Sequence, residues 1–399
     1  MSDCGLIVRI AAKGDGVTAD GRHMPLSAPG DRIGEDGALM HGPGHAEPPC
    51  LHFPECGGCQ LQHVQDDAYA QYVSDRVAGA LAGQGISAQT LLPAHISPPE
   101  SRRRASLRAV RTGKRVEIGF SAEGSHRIVD MEMCCILHPK LFALVAPLRT
   151  LLRPMMADKG AAHVRMSLTD QGVDLLLEGL SVEGLAAREA LTDFARAQGL
   201  ARLVLDDGYG QQTCWEPEPV TVRFGEVAVG FPPYAFLQAT ADGEAALADA
   251  VRPAITDAAA FADLFSGLGT FALTLGAGKA VYAAEAGRDL VLALKSAANR
   301  GGRKLAADHR DLFRRPLSPD ELNRFGAIIL DPPRAGAREQ AAQLAISKVP
   351  AIGYISCNPG SFARDAVILT EGGYRLESVK PVGQFRWSTH VELAGIFRR

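Results

Sequence analysis

From about residue 260 to its end the chain repeats one pattern that few architectures accept. Short apolar runs alternate with longer stretches of helical composition, and a polar residue closes most of the runs. Strands are expected over 260–264, 280–284, 305–307, 327–330 and 351–355. Strands covered on both faces read as near-continuous apolar runs, and the helix between two of them returns the chain to start a parallel neighbour. A hairpin of 374–380 with 391–397 completes the sheet. The expectation is therefore an α/β chain whose C-terminal part, 226–399, is a doubly wound, Rossmann-like domain. Open sheets of this kind bind ligands just beyond the carboxyl ends of their strands.

Those ends carry the chemistry. The first strand runs into Phe265-Ser266-Gly267-Leu268-Gly269-Thr270, a glycine turn that opens a helix, and Glu285 closes the second strand. The glycines permit close backbone approach, and a carboxylate at Glu285 can accept both hydroxyls of a ribose. Gly267-x-Gly269-x-x-Ala272 also satisfies the looser dinucleotide fingerprint, so the turn alone indicates a nucleoside cofactor without saying which. The fourth strand ends in Asp331-Pro332-Pro333-Arg334, where two prolines fix the backbone beside a reacting base; hydride transfer has no evident need of that. The fifth presents Cys357 within Ile355-Ser356-Cys357-Asn358-Pro359. Most free cysteines are small core hydrophobes, but a thiol at this edge faces a cleft, and Cys357 is read as a nucleophile.

The other cysteines need a separate account. With 46% apolar and 22% charged residues and a net charge of −3, the chain has an ordinary soluble composition. Its 399 residues suggest two or three domains. No run reaches the ~20 apolar residues of a membrane span. Met1-Ser2-Asp3-Cys4 begins no export signal, which implies the cytoplasm, where stable disulfides are rare. The eight cysteines then call for metal, catalysis or burial. Cys50, Cys56 and Cys59 fall within ten residues, the last two as a C-x2-C hook around two glycines. Three thiolates leave a four-coordinate site one ligand short, which Cys134 or Cys135 can supply. Close spacing for three and distance for the fourth suits [4Fe–4S]; the alternative is structural zinc completed by His52 or His63.

Between the ends lie a short β segment over 1–45 and a central α+β region over 46–225. A helix is expected over 64–83, with Tyr69, Tyr72, Val73, Val77 and Leu81 as its core stripe. From Arg102 to Arg115 the chain carries basic residues and no acidic one, on an expected hairpin turning near Gly113. Such a stripe is an electrostatic footprint for phosphates.

Taken together, these motifs resemble one family. They are Cys50-x5-Cys56-x2-Cys59 with Cys134, the basic stretch, Phe236-Leu237-Gln238, the turn from Asp263 to Gly269, Asp331-Pro332-Pro333-Arg334, Ser356-Cys357-Asn358-Pro359 and Thr389-His390-Val391-Glu392. The chain resembles the class I S-adenosylmethionine-dependent RNA (uracil-5-)-methyltransferases, in particular the bacterial large-subunit rRNA enzymes with an iron–sulfur cluster. The resemblance implies that Cys357 adds to uracil C6 and that Glu392 removes the C5 proton. It implies cofactor contacts at Gln238, Phe265, Gly267, Gly269, Thr270, Glu285, Asp311 and Asp331, although Thr270 and Asp311 stand where relatives often have asparagine. It selects Cys134 over Cys135 as the fourth cluster ligand. The N-terminal segment looks like a shortened version of the family's RNA-binding barrel. The expected partner is RNA, rRNA before tRNA, bound by a monomer without a membrane.

Overall fold

A computed structural model describes residues 5–399. Residues 1–4, on which the expectation about an export signal rests, lie outside the described residues. Strands Ala327–Leu330 and Ala351–Ser356 are buried at every position and form the middle of a nine-stranded sheet. From one edge the order is Leu305–His309, Ala280–Glu285, Ala260–Leu264, Ala327–Leu330, Ala351–Ser356, Glu392–Arg398, Arg375–Gly383 and Thr90–Leu91, with His95–Ile96 also pairing Arg375–Gly383. Glu392–Arg398 runs antiparallel to both of its neighbours. Two apolar layers bury the two faces. One contains residues of Ala241–Ile255, Thr270–Leu275 and Arg288–Arg300, the other residues of Asp66–Ala82, Arg338–Ala345 and Pro359–Glu371. This is the doubly wound arrangement expected from the period, and its strand order reverses between Ala260–Leu264 and Ala327–Leu330.

The sheet draws on more of the chain than its repeats advertise. Helix Asp66–Ala82 buries the expected stripe of Tyr69, Tyr72, Val73, Val77 and Leu81 in the C-terminal domain's core, and Thr90–Leu91 and His95–Ile96 cover the edge strand. The expected layout put this segment with the central unit. An uncovered edge offers unpaired backbone groups to other chains, and two-residue strands that satisfy them leave no periodic trace.

The rest of the central unit is a six-stranded sheet ordered Gln211–Trp215, Arg202–Asp206, Gly172–Glu178, Ala161–Thr169, Arg104–Thr112 and Arg115–Gly119. Helices Val145–Met155 and Leu185–Ala197 share a core with it. In Arg104–Thr112 the alternation sets Ala105, Leu107 and Ala109 inward and Arg104, Ser106 and Arg108 away from that core. The single-sign stripe does not survive folding as a free surface. Arg103 pairs with Glu244 and Arg115 with Asp130, while Arg111 donates to the carbonyls of Gly113 and Met156. Glu244, Asp130 and Met156 lie outside the run, where a local charge count cannot see them.

The N-terminal segment forms a small antiparallel sheet of Ile7–Ile10, Gly16–Thr18 and His23–Met24, followed by the pair Arg32–Ile33 and Leu39–Met40. Among the described residues, no helix is long and apolar enough to cross a membrane.

Candidate active site

Cys357 stands where Ala351–Ser356 ends and Pro359–Glu371 begins. Asn358 caps that helix by accepting from the Gly360 amide, and Ser356 Oγ accepts from the Asn358 amide, so the chain turns sharply and leaves the thiol at the sheet's rim. The register Ser356↔Leu393 brings Glu392, first residue of the next strand, beside Cys357. The register Leu330↔Tyr354 brings Asp331 to the same rim from the other side. The loop after Asp331 is tied down because Asn358 Nδ2 donates to the Arg334 carbonyl and the Ala337 amide donates to the buried Asp365.

A cavity of about 430 Å³ opens over these ends, a size typical of small-molecule sites. Gln238, Phe265, Gly267, Thr270, Glu285, Asp311, Asp331, Cys357 and Glu392 all line it. Gly269 does not. Its backbone is left-handed (φ +87°) at the start of Thr270–Leu275, and a Cβ there would sit 2.4 Å from Leu294 Cδ1. Its work is turning and packing, not contact. Phe265 is also held at positive φ (+63°), the kind of backbone strain that collects at functional sites. The Glu285 carboxylate accepts from the Gly267 amide at 3.0 Å and the Gly287 amide at 2.7 Å. This fixes it at the cavity wall. Asp311 likewise accepts from the Phe313 amide. Below the turn, buried Asp263 accepts from the Ala272 amide and locks the glycine loop to its helix.

The Cys357 end of the cavity is acidic. Burial, then the nearby Asp331, pushes Glu392 up to about 8. Burial also raises Asp331 to about 7. Burial and the facing Glu392 and Asp331 push the Cys357 thiol up to about 11, against the pull of Arg334. Thiolate and carboxylates thus disfavour one another, and positive charge brought by a ligand would relieve all three.

Further residues bind this rim together, and of them Gln384 lies in no motif singled out in the sequence. Gln384 is buried and donates from Nε2 to both Glu392 and Gln238 Oε1, and Gln238 in turn donates to Asp331. Arg104 donates to the Leu237 carbonyl and lies 4.7 Å from the centre of the Phe236 ring. Phe236 is 58% exposed at the cavity's edge. Arg103 binds the Gln238 carbonyl, so the basic run acts here by presenting Gln238.

A second cavity is lined by Cys50, Cys56, Cys59, Cys134 and Cys135 with Phe120, Met131 and Ile136. Burial raises Cys56 and Cys134, and pushes Cys59 up to about 12; the neighbouring thiols add to each shift. Among the described residues, no three His, Cys, Asp or Glu side chains are packed tightly enough to hold a metal ion. Of the two histidines offered for zinc, His52 lines this cavity and His63 does not. His52 Nε2 accepts from the Glu132 amide, and His63 bonds the Ser27 carbonyl outside this cavity.

Comparison with known proteins follows the same lines. The model of a family described as tRNA (uracil-5-)-methyltransferase matches residues 305–399. An uncharacterized RNA methyltransferase of Zymomonas mobilis is 52% identical over 393 residues, covering 98% of this chain and 99% of the relative. The 23S rRNA (uracil(1939)-C(5))-methyltransferase of Pectobacterium atrosepticum is 32% identical over 375 residues, covering 90% and 81%. Among solved structures, the tRNA (uracil-54, C5)-methyltransferase of Pyrococcus abyssi in complex with S-adenosyl-L-homocysteine aligns over 98% of this chain and 99% of its own, with a TM-score of 0.76 at 21% identity. That last likeness is one of fold.

Proposed function

The chain belongs to the RNA (uracil-5-)-methyltransferase family, and on that premise we propose that it methylates C5 of a uridine in 23S rRNA, using S-adenosylmethionine, through a transient bond between Cys357 and uracil C6. The observation that carries the reading is the single cavity that joins a nucleoside-type glycine turn and its carboxylate to a thiol flanked by Glu392 and Asp331.

Uracil C5 is a weak nucleophile. Addition of the Cys357 thiolate to C6 makes an enolate whose electron density lies at C5. S-adenosylmethionine supplies an electrophilic methyl group, and Gly267, Thr270, Glu285 and Asp311 are the residues that would hold its nucleoside part. As the C5–CH3 bond forms, the donor's S–CH3 bond would break and its electron pair return to sulfur, leaving S-adenosylhomocysteine; Glu392 then takes the C5 proton, the C6–S bond breaks and the thiolate leaves with its electron pair. Gln238 and Asp331 offer polar groups to the uracil edge. A uridine within folded RNA must be turned out of its stack to reach the thiol.

Cys50, Cys56, Cys59 and Cys134 would hold a [4Fe–4S] cluster. The donor set fits: soft thiols gathered in one apolar cavity, and a cubane spaces its ligands more widely than one ion does. Methyl transfer moves no electron, so the cluster's part is to tie the 50–59 loop to the segment around Cys134 and shape the RNA-facing surface. For binding, the three-part layout 1–45, 46–225 and 226–399 is kept except that 66–96 packs into the last part; the remainder of the first two parts grips RNA.

The test is methylation in vitro of rRNA and tRNA that lack 5-methyluridine, with the product mapped by mass spectrometry. One methylated uridine in 23S rRNA is expected. The description of the matching family model favours tRNA as the second reading, and exclusive modification of tRNA would replace the first.

A further inference from the structure

Between the two carboxyl groups of the site runs an unbroken chain of side-chain amides. Gln384 Nε2 donates to Glu392 and, at 2.8 Å, to Gln238 Oε1; Gln238 Nε2 donates to Asp331 Oδ2 at 3.2 Å. Gln384 is 2% exposed and Gln238 3%, so water does not compete for these bonds. The far side of Gln384 is also gripped. Its Oε1 accepts from the Thr240 amide at 3.4 Å, and Thr240 Oγ1 accepts from Gly243. At Gly243 a Cβ would fall 2.7 Å from Gln384 Cβ, so the helix start is shaped to admit this side chain. A buried amide with both of its ends satisfied is rigid.

We propose that Gln384 is a positioning residue of the methyl-transfer site, holding with its buried amide the group that takes the C5 proton. The inference rests on the covalent reading above. Gln384 touches neither substrate nor cofactor in it, and acts through Glu392.

Its consequence is chemical as well as geometric. Glu392 takes a proton only as a carboxylate, and the bond from Gln384 favours that form against burial and Asp331. The other charged groups facing Glu392 are Arg104, which also favours the carboxylate, and the Cys357 thiol, with Arg334 at the same rim. Glu244, near Gln238, is closed off by Arg103. Loss of the amide therefore raises the pH at which Glu392 ionises. Fewer molecules carry the base at neutral pH, and raising the pH restores them.

The experiment compares Gln384→Leu with the unaltered enzyme in three measurements. These are calorimetry of S-adenosylmethionine binding, covalent trapping of RNA containing 5-fluorouridine, and the pH profile of turnover on ordinary rRNA. Trapping needs no removal of a C5 proton. The expected result is unchanged cofactor affinity, unchanged trapping, and turnover lowered about tenfold at pH 7 but recovering as pH rises, since one pH unit is a tenfold change in ionised fraction. Parallel loss of trapping and turnover with an unmoved pH profile would overturn the proposal, as would unchanged turnover. Should Gln384→Leu not fold, isosteric Gln384→Glu replaces it. The same upward shift of the profile is expected, and an unmoved profile overturns the proposal. Failure of the unaltered enzyme to trap RNA would mark the covalent reading as the one at fault and remove this inference with it.

Discussion

In the proposed reaction Glu392 is an unusual base, because burial pushes its carboxyl up to about 8. Its proposed task comes late, after methylation has made the C5 proton acidic. Glu392→Gln keeps the shape and the bond from Gln384 but cannot accept a proton. It should form the covalent intermediate on ordinary RNA and release it at least about a hundredfold more slowly. Denaturing gels would then show enzyme bound to RNA that the unaltered protein does not accumulate. Equal, normal release by Glu392→Gln would assign the base elsewhere. At this scale the sequence was legible where chemistry and strand ends coincide. Cys357, Asp331 and Glu285 each close an apolar run, and Glu392 entered only through family resemblance. Gln384 escaped because an amide between two strands has no period and no charge. Arg104 was visible only as one basic residue among many.

The glycine turn shows how one element separates contact from packing. Gly267 and Gly269 both adopt positive φ, yet a Cβ at Gly267 meets nothing within 4 Å, while one at Gly269 collides with Leu294. Gly269→Ala should therefore lower stability by roughly 2–3 kcal/mol through strain and overpacking. Gly267→Ala should cost about 1 kcal/mol and act mainly on cofactor affinity. Thermal unfolding and calorimetry on the two variants distinguish these outcomes, and equal losses of stability would refute the division of labour. The motif alone could not separate the two glycines, since the collision depends on a helix 25 residues further on. Strands and helices from 260 onward were legible because burial on both faces leaves a continuous apolar signal. Thr90–Leu91 and His95–Ile96 were not, being set by the edge they cover.

Across the whole molecule, one loop joins the cysteine cavity to the rim that carries Cys357. Trp387 shares a buried cluster with Cys59 and Ile136, and its carbonyl accepts from the amides of Gln60 and Leu61. The loop that carries Trp387 runs from Gln384 to Glu392. Iron removed by chelation should therefore lower the Tm by on the order of 5 °C and weaken RNA binding, while iron and sulfide supplied again should restore both. Thermal shift and filter binding report the two effects, and an unchanged Tm would argue against a cluster in that cavity. The proposed chemistry depends on a sulfur–carbon bond. The direct measurement is to incubate the enzyme with S-adenosylmethionine and rRNA containing 5-fluorouridine, digest the trapped complex, and locate the modified peptide by mass spectrometry. A methylated fluorouracil attached at Cys357, and absent from Cys357→Ala, is the predicted result. No adduct, or one on any other cysteine, would contradict it.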